Sequence, residues 1–320
     1  MHRSLIIAAA LASVGSSAFA QSTVTLYGRL NVTVERQKIG NLNDTKMQNN
    51  SSRWGLKGSE DLGGGMKAGF QIESGFSPAT GASSSPFWSR QSEVNLSGGF
   101  GMVRLGRMTS ESYYATADYV SMHNHDTGTS SDALYAFIDN SANKVAYRTP
   151  SFGGLTVDAS VTAADAPNSR RSYDFAANYD AGPLHLGAGY TKLKNSDAKQ
   201  FAARALYELG AFTFGGYVQR DTDAYFVGNR TTYRLAGMYT MGSTEFHANI
   251  GHAGDYSKTV GDQAASQYTL GVNQNLSKRT KVYGFYTRIN NNSGASYSFG
   301  PSVTPGQDLS SFAIGVRHNF

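Results

Sequence analysis

The C-terminal strand pattern constrains the fold more than any other stretch of this chain. Phe312, Ile314, Val316, His318 and Phe320 fall on one face of an extended segment, and Ser311, Ala313, Gly315, Arg317 and Asn319 on the other. Strict alternation marks a strand with two unlike faces. The terminal aromatic sets the end of such a strand at a membrane interface. The start of the chain agrees: residues 1–20 read as a cleavable export signal, with a basic His2-Arg3, an apolar stretch from Leu5 to Val14 and the small-x-small site Ala18-Phe19-Ala20. That stretch is too short to cross a bilayer, and nothing later approaches the roughly 20 apolar residues a spanning helix requires. Hydrocarbon offers no partner for free backbone groups, so a chain without such a helix crosses only as a closed sheet.

Other segments repeat the alternation. Val24, Leu26, Leu30, Val32 and Val34 alternate with Thr25, Arg29, Asn31, Thr33 and Glu35, and Phe246, Ala248 and Ile250 with Glu245, His247 and Asn249. A dry core would not hold those Arg, Glu, His and Asn side chains unpaired, so the inside of the barrel is wet and the outside apolar. This argues against a soluble β-sandwich, whose inner faces are apolar. Tyr27, Phe175, Tyr179, Tyr207, Phe212, Phe214, Tyr268 and Tyr283 lie near strand ends and read as interfacial girdles.

Short turns rich in Gly, Pro, Ser or Asp, as at residues 61–65, 98–101, 180–183 and 241–243, alternate with longer polar connections such as 37–50, 77–86, 222–228, 255–264 and 290–307. The count gives about sixteen antiparallel strands of roughly ten residues, the size at which a barrel holds an aqueous channel. The fold class is thus all-β, one transmembrane barrel over residues 21–320, with short periplasmic turns and long extracellular loops. Residues 109–142 form the longest connection, and long loops tend to be functional. The absence of cysteine removes disulfides and thiolate chemistry. Loss of Arg3 with the signal lowers the formal charge from +5 to +4. The excess is slight and dispersed, a lumen bias and no nucleic-acid footprint.

Six segments together resemble the Gram-negative general porins, specifically the trimeric porins of the β-proteobacterial type. They are Thr25-Leu26-Tyr27-Gly28, residues 52–63 (SRWGLKGSEDLG), residues 100–107 (FGMVRLGR), residues 147–154 (YRTPSFGG), residues 276–280 (LSKRT) and residues 315–320 (GVRHNF). The resemblance implies a homotrimer in outer-membrane lipid and lipopolysaccharide that passes small hydrophilic solutes and ions by passive diffusion. It also implies a third extracellular loop folded inward as a constriction, and a terminal Phe320 read by the outer-membrane barrel insertion machinery as an assembly signal. By the same likeness Arg53 and Arg90 stand on the barrel wall at the starts of the second and fourth strands. Where relatives carry a further arginine before the strand at Tyr147, this chain has Asn140 and Ser141.

Against those arginines the long loop offers Glu111, Asp118, Asp126, Asp132 and Asp139, while alternation admits Lys57, Arg104, Lys144 and Arg148 to the lumen. Facing charges of opposite sign set a transverse field across a narrow aqueous gap. The surplus of cations leads to an expectation of weak to moderate anion preference. His123-Asn124-His125-Asp126 has metal-ligand residue types but lacks a further partner, and Gly63 to Gly69 lacks the Lys-Ser/Thr of a phosphate loop, so neither a metal nor a cofactor is expected. An outer-membrane hydrolase needs a Ser-His or Asp-His pairing held in register, which no spacing here specifies. A solute-specific channel keeps the fold and changes the lining, and Tyr113, Tyr114 and Tyr119 leave that alternative open.

Overall fold

The computed structural model describes residues 23–121, 131–138, 141–163, 171–225 and 227–320, with backbone alone at 131, 132. Before the longest connection come β1 (Thr23–Ile39), β2 (Leu42–Asn49), β3 (Arg53–Gly63), β4 (Met66–Gly75), β5 (Gln91–Gly98) and β6 (Gly101–Arg107). After it follow β7 (Lys144–Arg148), β8 (Leu155–Thr162), β9 (Ser172–Ala181), β10 (Leu184–Leu193), β11 (Lys199–Leu209) and β12 (Phe212–Thr222). The sheet is completed by β13 (Asn229–Met241), β14 (Thr244–Ala253), β15 (Ala265–Asn275), β16 (Thr280–Asn291) and β17 (Leu309–Asn319).

All pairings are antiparallel between neighbours, and β17 returns to pair with β1 from Leu309↔Ile39 to Asn319↔Arg29. β2 and β3 lie end to end along β1, the first beside Val32 to Ile39 and the second beside Thr23 to Arg29. They share one position in the wall, so seventeen segments make a closed barrel of sixteen strands. The break falls at residues 50–52, where Ser51 takes a left-handed φ of 56°. Asn31 of β1 bridges it: Asn50 N–H donates to the Asn31 carbonyl at 2.9 Å, Asn31 Nδ2 to the Asn50 carbonyl at 3.0 Å, and Asn31 N–H to Ser52 Oγ at 2.9 Å. The connection expected over residues 37–50 is instead a tight hairpin turning at Gly40, whose φ is 54°. Arg36 Nη1 donates to Thr45 Oγ1 across it at 3.1 Å, so polar residues that read as loop serve as cross-strand pairs.

The two faces are as unlike as the alternation requires. Val24, Leu26, Val34, Phe312, Ile314 and Val316 are exposed on the outside, while Asn31, Thr33, Glu35, Gln37 and Ser311 are almost fully buried inside. Tyr27 and Tyr283 depart from the girdle expected of them and face the lumen. The Tyr27 hydroxyl accepts from Gln71 Nε2 at 2.7 Å, and the Tyr283 hydroxyl donates to Asn31 Oδ1 at 2.7 Å. Each shares its strand face with a cation, Arg29 or Lys281, and parity outranks aromatic character.

Closure is sealed by Phe320, whose N–H donates to the Gly28 carbonyl at 3.1 Å while Gly28 N–H donates back at 3.0 Å. The phenyl ring lies over Gly28, where any Cβ would come within 2.4 Å of Phe320 Cζ. Two connections fold into the barrel: the described parts of the longest one, residues 109–121 and 131–138, along the wall, and residues 292–308 at the same rim. They meet in an apolar cluster of Leu134, Ala253, Ala265, Ile289 and Ala295, flanked by Tyr297 and Phe299.

Candidate functional site

The inward loop is fastened by side chains from the strands it crosses. Ser110 Oγ accepts from Tyr113 N–H at 3.3 Å and donates to Asp174 Oδ2 at 2.7 Å. Asp174, on β9, also accepts from Glu111 N–H at 2.8 Å, Ser112 N–H at 3.3 Å and Thr191 Oγ1 at 3.0 Å. A carboxylate against the free N–H groups of a first helical turn is favourable in both hydrogen bonding and dipole. That turn, Glu111–Tyr113, continues as a wider one over Tyr114–Asp118.

Glu111 points into the wall, where it accepts from Lys144 Nζ at 2.5 Å and Ser160 Oγ at 2.9 Å, with Arg104 Nη1 at 3.6 Å. Both side chains of the Glu111–Lys144 pair are buried, at 2% and 0% exposure. Burial works to raise the Glu111 pKa, but the charge and hydrogen bond of Lys144, helped by Ser160, outweigh it and hold the carboxyl below its ordinary value. Further along, Arg204 donates to the Ala115 carbonyl at 2.7 Å and lies 3.3 Å over the Tyr119 ring. Gln219 both donates to and accepts from the Ala136 backbone, at 2.9 and 2.8 Å, as a strand neighbour would. Tyr113, Ala117, Val120 and Tyr135 pack beneath the loop on Ala202, Leu206 and Tyr217.

Across from the root of the loop, Arg53 on β3 and Arg90 just before β5 converge on Glu73 of β4, at 3.7 and 2.6 Å. Glu73 and Arg90 line a water-accessible cavity of about 620 Å³ together with Ser52, Thr109, Tyr114 and Ser141. Arg104 forks onto Glu93, with Nη2 at 2.6 Å and Nε at 3.1 Å from Oε2. Arg148 meets Asp158 at 2.7 Å, and Lys57 stands 5.2 Å over the Tyr27 ring.

The structure therefore brings Arg53 and Arg90 together on Glu73, with Arg90 and Glu73 lining the cavity, and gathers Arg104, Lys144 and Glu111 into one network behind the loop. Lys57 and Arg148 share the inward faces of their strands with Arg53 and Lys144. Asp118 is half-buried at the end of the second turn. Asp126, Asp139, His123 and His125 lie outside the described residues, as does the side chain of Asp132, whose backbone belongs to the turn Ser131–Leu134. Among the described residues no group of His, Asp and Glu converges as metal ligands do. Glu73, Glu93, Asp158 and Asp174 escaped the sequence reading. Their signal was there: each is a carboxylate on the inward parity of a strand, and the first three sit one or two strands from an inward arginine.

Known proteins with this geometry are found by sequence and by structure. A family model described as Gram-negative porin matches residues 8–304. Outer membrane porin protein 32 of Delftia acidovorans is 30% identical over the whole length of both chains. An outer membrane porin protein of Bordetella pertussis is 26% identical, again end to end. Among solved structures, the anion-selective porin from Comamonas acidovorans superposes with a TM-score of 0.78 at 26% identity, covering 94% of this chain and 100% of that one.

Proposed function

The chain belongs to the Gram-negative porin family and is an outer-membrane channel, and from that premise we propose that it passes anions somewhat more readily than cations. The observation that carries the proposal is the pairing at Glu73, where one carboxylate serves both Arg53 and Arg90 at the edge of the aqueous cavity. The loop carboxylate expected to oppose them, Glu111, is turned into the wall and neutralised by Lys144. The wall charge is thereby left with a positive surplus. Lys57 extends it along the lumen, Arg148 being paired with Asp158, while among the described loop residues Asp118 brings an opposing charge. The name of the Comamonas structure, which states anion selectivity for that protein, is consistent with the same sign here.

Fixed charge in a wet pore is screened over about 8 Å at physiological salt, so the preference is weak to moderate and falls with ionic strength. Reversal potential in a potassium chloride gradient tests it. Arg53→Ser with Arg90→Ser should move the potential toward cation preference, and Glu73→Gln should move it the other way. A folded, conducting double variant with the wild-type potential would show that these arginines do not set the field.

The same reading takes residues 1–20 as the cleaved export signal, Phe320 as the mark used by the barrel insertion machinery, and the assembly as a homotrimer in lipid and lipopolysaccharide. An aromatic cluster on the outer face supports the trimer: Trp54 packs edge-on against Trp88 and Phe87, with centroids 5.6 and 6.2 Å away, and Phe87 remains exposed. Unheated protein should migrate as a trimer on electrophoresis; a monomer band alone would refute that state. We assign the channel no catalytic step.

A further inference from the structure

At the short-turn rim, where β17 leads through β1 and β3 to the strand of Glu73, a second cavity of about 420 Å³ is lined by Lys278, Arg279, Lys281 and Arg317 with a single carboxylate, Glu245. Lys281 on β16 and Arg317 on β17 are direct cross-strand partners on the inward face. Arg29 on β1 stands opposite Asn319, one inward position below the residue that faces Arg317. Like charges set directly opposite each other on a sheet are destabilising, and a third on the diagonal adds to the repulsion. Glu245 offsets part of it: the carboxylate pairs with Lys281 at 3.7 Å and accepts from Asn273 Nδ2 and Asn275 Nδ2, each at 2.7 Å. The lining still sets four cations against that one carboxylate.

We propose that this cluster is an oxyanion-binding subsite at the periplasmic exit, taking solutes that carry a multiply charged phosphate group. Lys281 supplies a compact charge and Arg317 a planar fork, the two donor types that suit phosphate oxygens. A bound phosphate lowers the repulsion between them. In a channel such a site has to bind weakly enough to release, so it acts as a brief station that draws anions out of the constriction toward the periplasm. The proposal rests on the channel being open at this rim and is independent of the ion preference set at Glu73.

Pyrophosphate is the probe, added to one side of a bilayer holding single trimers in potassium chloride. Brief current interruptions are expected at lower pyrophosphate from the periplasmic rim than from the loop side. Lys281→Gln with Arg317→Gln should raise the half-blocking concentration from the periplasmic side about tenfold, since two solvated charged contacts are lost, each several-fold in effect. Arg53→Ser with Arg90→Ser should leave the difference between sides in place, which separates this site from the constriction. Equal block from both sides, or an unchanged half-blocking concentration in the exit variant, overturns the proposal. Should the double variant fail to assemble, Lys281→Gln alone is read in the same way: a several-fold rise supports the site, and no change in folded protein overturns it.

Discussion

Lys144 stands on the inward face of β7, yet it meets Glu111 rather than water. Alternation fixes which side of the wall a residue takes, but the covering of that side depends on where a loop lies, and this loop is held by Asp174, 63 residues beyond Glu111. No local pattern carries that information. The pair has a pH signature with a definite sign. Glu111 is held below its ordinary pKa, so its contribution is complete above about 4.3 and is lost as pH falls through the lowered value. Single-channel current should therefore be steady from neutral pH down to about 5 and become noisy, as the loop leaves its seat, only well below that. Lys144→Met reverses the sense. A buried carboxylate without its cation costs about 3–5 kcal/mol, so the variant should be noisy at neutral pH and quieter on acidification, as protonation removes the charge. A variant whose noise ignores pH would disprove the role given to the pair.

Among the elements, the strands were legible and the inward connections much less so. Leu26, Arg29 and Asn31 declare their faces one by one, and the Gly63 to Gly65 turn, with φ of 78°, 61° and 79°, declares the end of β3. Residues 292–308 declare nothing, because Tyr297 and Phe299 in a polar run look the same whether they cover a mouth or face solvent. Their burial comes from Leu134 on one side and Arg230 on the other. Arg230, on β13, donates to the Tyr297 hydroxyl at 2.5 Å, pairs with Asp221 at 3.1 Å and lies 4.8 Å over the Tyr256 ring. This bond joins the loop to the wall. Tyr297→Ala removes both the bond and the ring from the mouth, and single-channel conductance should rise, by less than about twofold because the other inward loop keeps its anchors at Asp174 and Gln219. Unchanged conductance and noise in the folded variant would mean that the loop does not narrow the path.

For the whole molecule, everything turns on one seam. β1 must find β17 across nearly the full length of the chain, and the last bonds of that seam are made by Phe320 with Gly28. Deleting Phe320, or filling its notch by Gly28→Leu, should lower the yield of heat-resistant trimer in the outer membrane, with the deletion the stronger of the two. Undiminished trimer in both would remove the seam from any part in assembly. The loop anchors add an order of events. Asp174, Gln219 and Thr232 hold partners that precede them by 63, 83 and 98 residues, so these seats of the inward loop are made of chain that follows it. Contacts this distant in sequence form late, since long closures must come first. A barrel still zipping is therefore a wide one. The sieve is seated only once β13 is in place, and a chain that stalls before that strand holds the loop on part of its anchors.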